Sequence, residues 1–351
     1  MAWYSPVGTF EPTATEQAMK ILVTGASGFV GGRFARFALE HGFEVRATGR
    51  REDALAGLAR HGAEVIGGDL SDPQLARQLC RGVEAVVHCA GAGSPWGTRE
   101  ALYQANVEVT ENMVEGCLKE QVRRLVYLSS ASVYFDGRAR LALKEPQIAT
   151  RFWGHEARSK FIAEQKVFGA GEFGLEAVAL RPGQVVGAGD TRFFPRLLRL
   201  QGRNRLAIIG NGLNKTDFTS AHNLNQALLA SLLAGQQALG KAFNVSDGMP
   251  LPIWDVINYV LRQQGLAPVR RYRRRAPLYL AAALDEAVCS LWPGRPQPRW
   301  SRLGVQLLSE HFTLDISRAR HHLGYEPGAS LWAGLDEFCD WWRPGDTIGT
   351  V

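Results

Sequence analysis

The chain has 351 residues and five cysteines without a C-x-x-C pair, and is 46% hydrophobic against 21% charged, the balance of a soluble globular enzyme of one large or two smaller domains. Its net charge of +6 is too dilute over this length to argue nucleic-acid binding, and the widely spaced thiols read as free, reduced side chains. No apolar run reaches the ~18 residues that suggest a membrane span, and the N-terminus lacks the basic flank and apolar core of a secretory signal, so cytoplasm is the expected compartment.

Residues 1–18 carry prolines and threonines without periodicity and read as an extension ahead of the fold. From Lys20 the chain runs K-I-L-V-T-G-A-S-G-F-V-G-G, a short apolar strand, a tight turn and the start of an amphipathic helix. Gly25, Gly28 and Gly31, with Ser27, Phe29 and Val30 between them, form a diphosphate cradle: glycines allow close approach and a helix N-terminus supplies N–H groups. The spacing then predicts a helix over Phe29–His41, a strand Glu44–Ala47, a helix Glu52–His61 and a strand Glu64–Ile66. A helix Pro73–Arg81, a strand Ala85–His88, one long helix Ala101–Lys119 and a strand Arg124–Leu128 follow. This alternation predicts an α/β fold, a doubly wound parallel sheet of the Rossmann type.

Ligands on such sheets bind beyond the carboxyl ends of the strands. After the second strand, Gly49 removes the acid that would hold a ribose 2′-hydroxyl, and Arg50 offers a cation to a 2′-phosphate. NADP(H) is therefore the preferred cofactor, with NAD(H) the alternative. Asp69 and Leu70 follow the third strand towards the adenine end, and Cys89, Ala90 and Gly91 follow the fourth beside the dinucleotide.

With the glycine turn, Asp69-Leu70, the fourth-strand end and Y-L-S-S-A-S-V-Y in the fifth-strand region, the chain resembles the extended short-chain dehydrogenase/reductase family. Within it the likeness is to the 3β-hydroxysteroid dehydrogenase-like and NAD-dependent epimerase-dehydratase subgroup. L-R-P-G-Q-V-V-G at Leu180–Gly187, D-F-T-S-A-H-N-L at Asp217–Leu224, F-N-V-S-D-G at Phe243–Gly248 and the tail Asp315–Pro327 extend it over nearly the whole chain after residue 19. The resemblance implies a nucleotide-binding domain over 19–183, completed by 217–248, and a smaller, mostly C-terminal substrate domain over 184–216 and 249–345. It also implies that Ser130 binds the reacting oxygen, that Lys160 holds the nicotinamide ribose, that Asn106 stands behind the site, and that Pro182 and Gly183 shape the nicotinamide wall. A homodimer is expected by the same analogy.

The family's Tyr-x-x-x-Lys pair is altered: in G-H-E-A-R-S-K the tyrosine position holds Glu156. Four-residue spacing puts Glu156 and Lys160 on one helix face, where they are expected to pair. The proton donor is then sought among Glu156, His155, Tyr134 and Tyr103. The position four after His155 is Ser159, so no zinc helix forms and no metal is assigned.

Phe193-Phe194-Pro195, Leu197–Leu200 and the loop Ala92–Gly97 with Trp96 suggest an apolar substrate pocket. Arg270–Arg275 contains five arginines, followed by apolar Ala276–Leu284; this reads first as a solvated turn before a packed helix. Peripheral contact with an anionic membrane is kept as a hypothesis. The leading function is an NADP(H)-dependent oxidoreductase acting on a hydrophobic secondary alcohol or ketone, sterol-like or acyl-type. The rivals are a nucleotide-binding sensor without turnover and an NAD(P)-dependent epimerase or isomerase.

Overall fold

The computed structural model describes Thr13 and residues 19–93, 97–292 and 298–342. The rest of the expected N-terminal extension and Trp96 of the expected overhanging loop lie outside these residues.

Seven strands form one parallel sheet in the spatial order Glu64–Gly67, Glu44–Gly49, Lys20–Thr24, Ala85–His88, Arg124–Leu128, Glu176–Pro182, Lys241–Val245. Counted along the chain this is 3-2-1-4-5-6-7, with the reversal between the first and fourth strands. A parallel sheet covered on both faces demands strands apolar on both sides, and Ile21, Leu22 and Val23 are all fully buried. The helix Phe29–Glu40 turns Phe34, Ala35, Phe37 and Ala38 inward against the helix Ala221–Leu233, in a core shared with Val23 and Val126. Burying Phe34 alone contributes about 1.5–3 kcal/mol. The helix Pro73–Cys80 starts where Asp72 accepts from the Gln74 N–H and proline takes the first helical position, which uses two otherwise orphaned sites at the N-terminus.

The stretch expected as one helix over Ala101–Lys119 is broken in register. It comprises the helix Arg99–Tyr103, a π-helical turn Gln104–Glu108 and the helix Val109–Lys119. Apolar periodicity does not reveal a single wide turn, because the stripe slips by only one residue.

A second core gathers Phe194, Trp254 and Phe338 from the helices Phe193–Gly202, Ile253–Gln263 and Leu331–Trp341. Beside it a four-stranded sheet runs Leu251–Pro252, Lys215–Thr216, Phe312–Leu314, Arg140–Leu143. Its last strand comes from within residues 19–183, so that segment is drawn out of the nucleotide-binding layer to pair with Phe312–Leu314.

Candidate active site

The crevice between the first and fourth strands is built by contact, one residue at a time. Gly25 has φ +65°, and a Cβ there would stand 2.8 Å from the Ala90 nitrogen; one at Gly31 would stand 2.5 Å from the Gly25 oxygen. Any larger residue would close the turn and fill the cradle, so these residues fit a dinucleotide diphosphate. The Phe29 ring lies under Gly189, whose Cβ would come within 2.9 Å of it, so the loop after Val186 closes onto the nucleotide turn. Ser27 and Val30 flank the same turn, both partly exposed.

Beneath the crevice runs a polar chain. His88 Nδ1 is 2.7 Å from Thr24 Oγ1 and His88 Nε2 is 3.1 Å from Thr110 Oγ1. Thr110 donates to the Asn106 carbonyl, so it must accept from His88; the histidine is the Nε2–H tautomer, and Thr24 donates to Nδ1 while accepting from the Ala90 N–H. Burial pushes the His88 pKa down to about 3, with Lys160 adding to the effect, which keeps the ring neutral. Burial likewise pushes the Cys89 thiol up to about 12, so it is no thiolate nucleophile.

At the expected adenosine edge, a Cβ on Gly49 would sit 2.4 Å from Ser27 Oγ. The position cannot carry an acidic side chain while Ser27 keeps its place. Arg51 is held against the Ser27 carbonyl; Arg50 is exposed and makes no hydrogen bond or ion pair among the described residues. Asp69 accepts from the Ser71 N–H at 2.9 Å, which holds its carboxyl below the usual range, with Arg50 adding to the effect. Leu70 is buried beside it.

The helix His155–Gly169 meets the fifth strand where the nicotinamide end is expected. Lys160 is buried and donates to the Leu128 carbonyl at 3.1 Å, with its ammonium 5.3 Å from the centre of the Tyr127 ring. A Cβ on Gly91 would fall 3.0 Å from Lys160 Nζ and 2.7 Å from Asn106 Oδ1. Asn106 is buried by the π turn, accepting from the Ala92 N–H at 2.7 Å and donating to the Ala92 carbonyl at 3.0 Å and to Ser159 Oγ at 2.9 Å. Ser130 precedes the short 3-10 turn Ala131–Tyr134 and its Oγ accepts from the Ser132 N–H at 3.1 Å, which leaves its own proton to donate. Pro182 and Gly183 end the sixth strand, where a Cβ on Gly183 would lie 2.8 Å from the Asp217 oxygen.

The structure corrects three expectations for the proton donor. Tyr134 is fully buried, its hydroxyl donating to Asn244 at 2.6 Å and accepting from Arg181 at 2.7 Å, so both capacities are used in a structural network. Tyr103 and His155 are exposed, and the Tyr103 phenol faces Lys166 on the outer surface. Glu156 and Lys160 do not form the expected ion pair, because the lysine reaches inward to Leu128 while the carboxyl faces Ser132.

Glu156 is thus the acid left at the site. Burial raises its pKa, while Lys160, Ser132 and Arg192 pull it back; burial lowers that of Lys160. The Ser132 hydroxyl lies beside the Glu156 carboxyl but is short of a full hydrogen bond, leaving a buried donor unpartnered. Ser132 and Arg192 were not apparent from the sequence. Ser132 sits inside the quoted S-A-S-V-Y, whereas Arg192 carries no local signal: Asp190, accepting from the Arg192, Phe193 and Phe194 N–H groups, starts the helix that brings it over Gly93.

A glycine-cradled sheet reversal with a buried lysine and a strand-end serine defines a nucleotide-dependent short-chain dehydrogenase fold. The chain belongs to the NAD dependent epimerase/dehydratase family, whose model matches residues 21–246, and its relatives place it in the extended, 3β-hydroxysteroid dehydrogenase-like branch. It is 35% identical to a 2-alkyl-3-oxoalkanoate reductase of Stenotrophomonas maltophilia (strain K279a), over 90% of this chain and 97% of that one. It is 28% identical to the sterol-4-alpha-carboxylate 3-dehydrogenase, decarboxylating, of Mus musculus, over 91% and 90%. Among solved structures, MoeE5 in complex with UDP-glucose and NAD superposes with a TM-score of 0.72 at 24% identity, covering 92% of this chain and 98% of that one. The family and these relatives comprise NAD(P)-dependent dehydrogenases and epimerases, and no helix among the described residues is long and apolar enough to cross a membrane.

Proposed function

We propose that the protein is an NADP(H)-dependent oxidoreductase that interconverts a ketone and a secondary alcohol on an apolar substrate bearing a carboxylate near the reacting carbon. The observation that carries this reading is the convergence of Ser130, Glu156 and Lys160 at the carboxyl end of the fifth strand, with Glu156 free of any ion pair to Lys160. A bound nicotinamide supplies or accepts the hydride. Ser130 donates to the substrate oxygen and orients it, Lys160 places positive charge beneath it, and protonated Glu156 gives the proton in the reductive direction.

Substrate class is argued from Arg192. Its guanidinium reaches towards Glu156 and Lys160 and makes no hydrogen bond or ion pair to a described side chain. An unpaired arginine beside a reacting carbonyl suits a carboxylate, bidentately, and both relatives named above carry a carboxylate in the substrate their names give. Arg50, together with a position 49 closed to acidic side chains, supports the 2′-phosphate of NADP(H); such a contact is worth about 1.5–3 kcal/mol, tenfold or more in affinity.

The test is steady-state oxidation of NADPH and NADH with a 2-alkyl-3-oxo acid and its methyl ester. Turnover with the acid, a preference for NADPH that R50A abolishes, and a KM for the acid that R192M raises at least tenfold are expected. Tight NADPH binding with no turnover on acid, ester or sterol ketones would replace this reading with a nucleotide-binding sensor.

A further inference from the structure

The helix Arg275–Leu291 is amphipathic in the wrong sense for a surface helix. Its outward positions carry Leu280, Leu284, Val288 and Leu291, exposed by 65%, 70%, 57% and 87%, with Trp292 just beyond at 61%. These recur at helical spacing as one continuous apolar stripe. The acids of the same helix turn away from it. Asp285 accepts from the Arg299 and Trp300 N–H groups, and Glu286 pairs with Arg302 at 2.6 Å. The packed-helix expectation therefore holds for one face only, where Leu278, Ala282 and Cys289 are buried.

The charge bordering the stripe has one sign. Arg270, Arg273 and Arg274 lie exposed at its N-terminal end, and none has an acidic partner among the described residues. Tyr272 stands exposed among them and Trp292 at the far end, so each end of the stripe carries an aromatic ring with a polar edge. Such rings prefer the boundary between an apolar phase and water. An apolar stripe with unpaired arginines beside it matches an anionic bilayer surface, where the leucines enter the acyl boundary and the guanidinium groups meet lipid phosphates.

We propose that this helix docks the protein on anionic membrane surfaces as a peripheral, non-spanning contact. The inference stands apart from the reaction proposed above. The same helix touches Trp153 through Tyr279, ring centres 6.1 Å apart, and Trp153 lies three residues before Glu156.

The experiment is flotation of the full chain with phosphatidylcholine vesicles and with vesicles containing about one-third phosphatidylglycerol. It is run on wild type, L280E/L284E and R273E/R274E, with the mass of each followed by light scattering. Wild type is expected to float with the anionic vesicles, to be released by ~0.5 M salt and not to float with phosphatidylcholine alone. Each double variant is expected to lose binding at least tenfold while keeping its NADPH affinity, which reports an intact fold. Equal flotation on both vesicle types overturns the proposal. So does wild type that fails to float, including the case in which L280E/L284E turns a dimer into a monomer and shows the stripe to be covered by a second copy.

Discussion

At the scale of single residues the question is what a carboxyl does where a phenol is the rule. Glu156 is held by opposing effects: burial favours its neutral form, and Lys160, Ser132 and Arg192 favour the anion. The balance lies above the ordinary carboxyl value, so the protonated donor persists to higher pH than in a free carboxyl. In the reductive direction that proton must be present, so kcat falls as pH rises through the Glu156 pKa. E156Q removes it and is expected to lower kcat by about 10²- to 10⁴-fold with NADPH affinity little changed. E156Y is expected to move the descending limb to higher pH, since a phenol titrates near 10 before its surroundings act. Stopped-flow NADPH oxidation from pH 5 to 9 reads both; an E156Q profile matching wild type would remove Glu156 from the chemistry. The sequence exposed the substitution itself, because position 156 is fixed by its distance from Lys160. It did not expose the geometry around it. The ion pair expected from four-residue spacing fails because Lys160 finds a nearer acceptor at Leu128, a contact between segments 32 residues apart.

At the scale of elements the π turn Gln104–Glu108 does most to join the two halves of the site. One extra residue in the turn swings Asn106 inward, where it bonds both backbone groups of Ala92 and the hydroxyl of Ser159. Ser159 in turn donates to the Glu156 carbonyl at 2.9 Å. The loop after the fourth strand and the helix bearing Glu156 and Lys160 are thereby held by one amide. N106A takes the amide away from both part-buried backbone groups of Ala92 and removes the donor to Ser159 Oγ, which keeps its own bond to the Glu156 carbonyl, and is expected to cost about 1–3 kcal/mol in all. N106D, isosteric but unable to donate, is expected to lose part of this. Urea midpoints measure the stability, and KM for NADPH measures the loosened site; an N106A protein with both unchanged would show the turn to be ornamental. Strands and helices of the first half were legible because apolar runs of period 2 and 3.6 are punctuated by glycine at each end. The wide turn was not, because it shifts the apolar stripe by only one residue. For the apolar stretch beside the arginines the sequence raised a membrane contact but not its orientation, since hydrophobic periodicity gives the stripe and only tertiary packing says which side faces the core.

At the scale of the whole molecule, the nucleotide-binding sheet and the smaller layer are fastened through a short stretch that includes Asp217. Its backbone N–H donates to the Phe312 carbonyl at 3.2 Å and its carboxyl accepts from the Leu314 N–H at 2.6 Å, while its carbonyl packs against Gly183 at the end of the sixth strand. Asp247 caps the helix Ala221–Leu233 nearby through the Ser220 N–H and Asn223. Burial pushes each carboxyl up to about 6, and for Asp217 the neighbouring Asp247 adds to it. A folded-state pKa raised above the usual 3.8 means that the folded chain holds the proton more tightly than the unfolded one. The associated stability is full below about pH 4 and is lost as pH rises through about 6. For Asp217 alone the shift corresponds to about 3 kcal/mol at its upper bound. D217N keeps an oxygen for the Leu314 N–H and cannot ionise. Thermal melts from pH 5 to 7.5 are therefore expected to show wild type losing stability with rising pH and D217N losing distinctly less. The gap between the two should stop changing with pH well below 3.8, where the Asp217 carboxyl is neutral in both the folded and the unfolded state. Parallel curves for the two proteins across the range would mean that the seam carries no titrating charge and is held by backbone pairing alone.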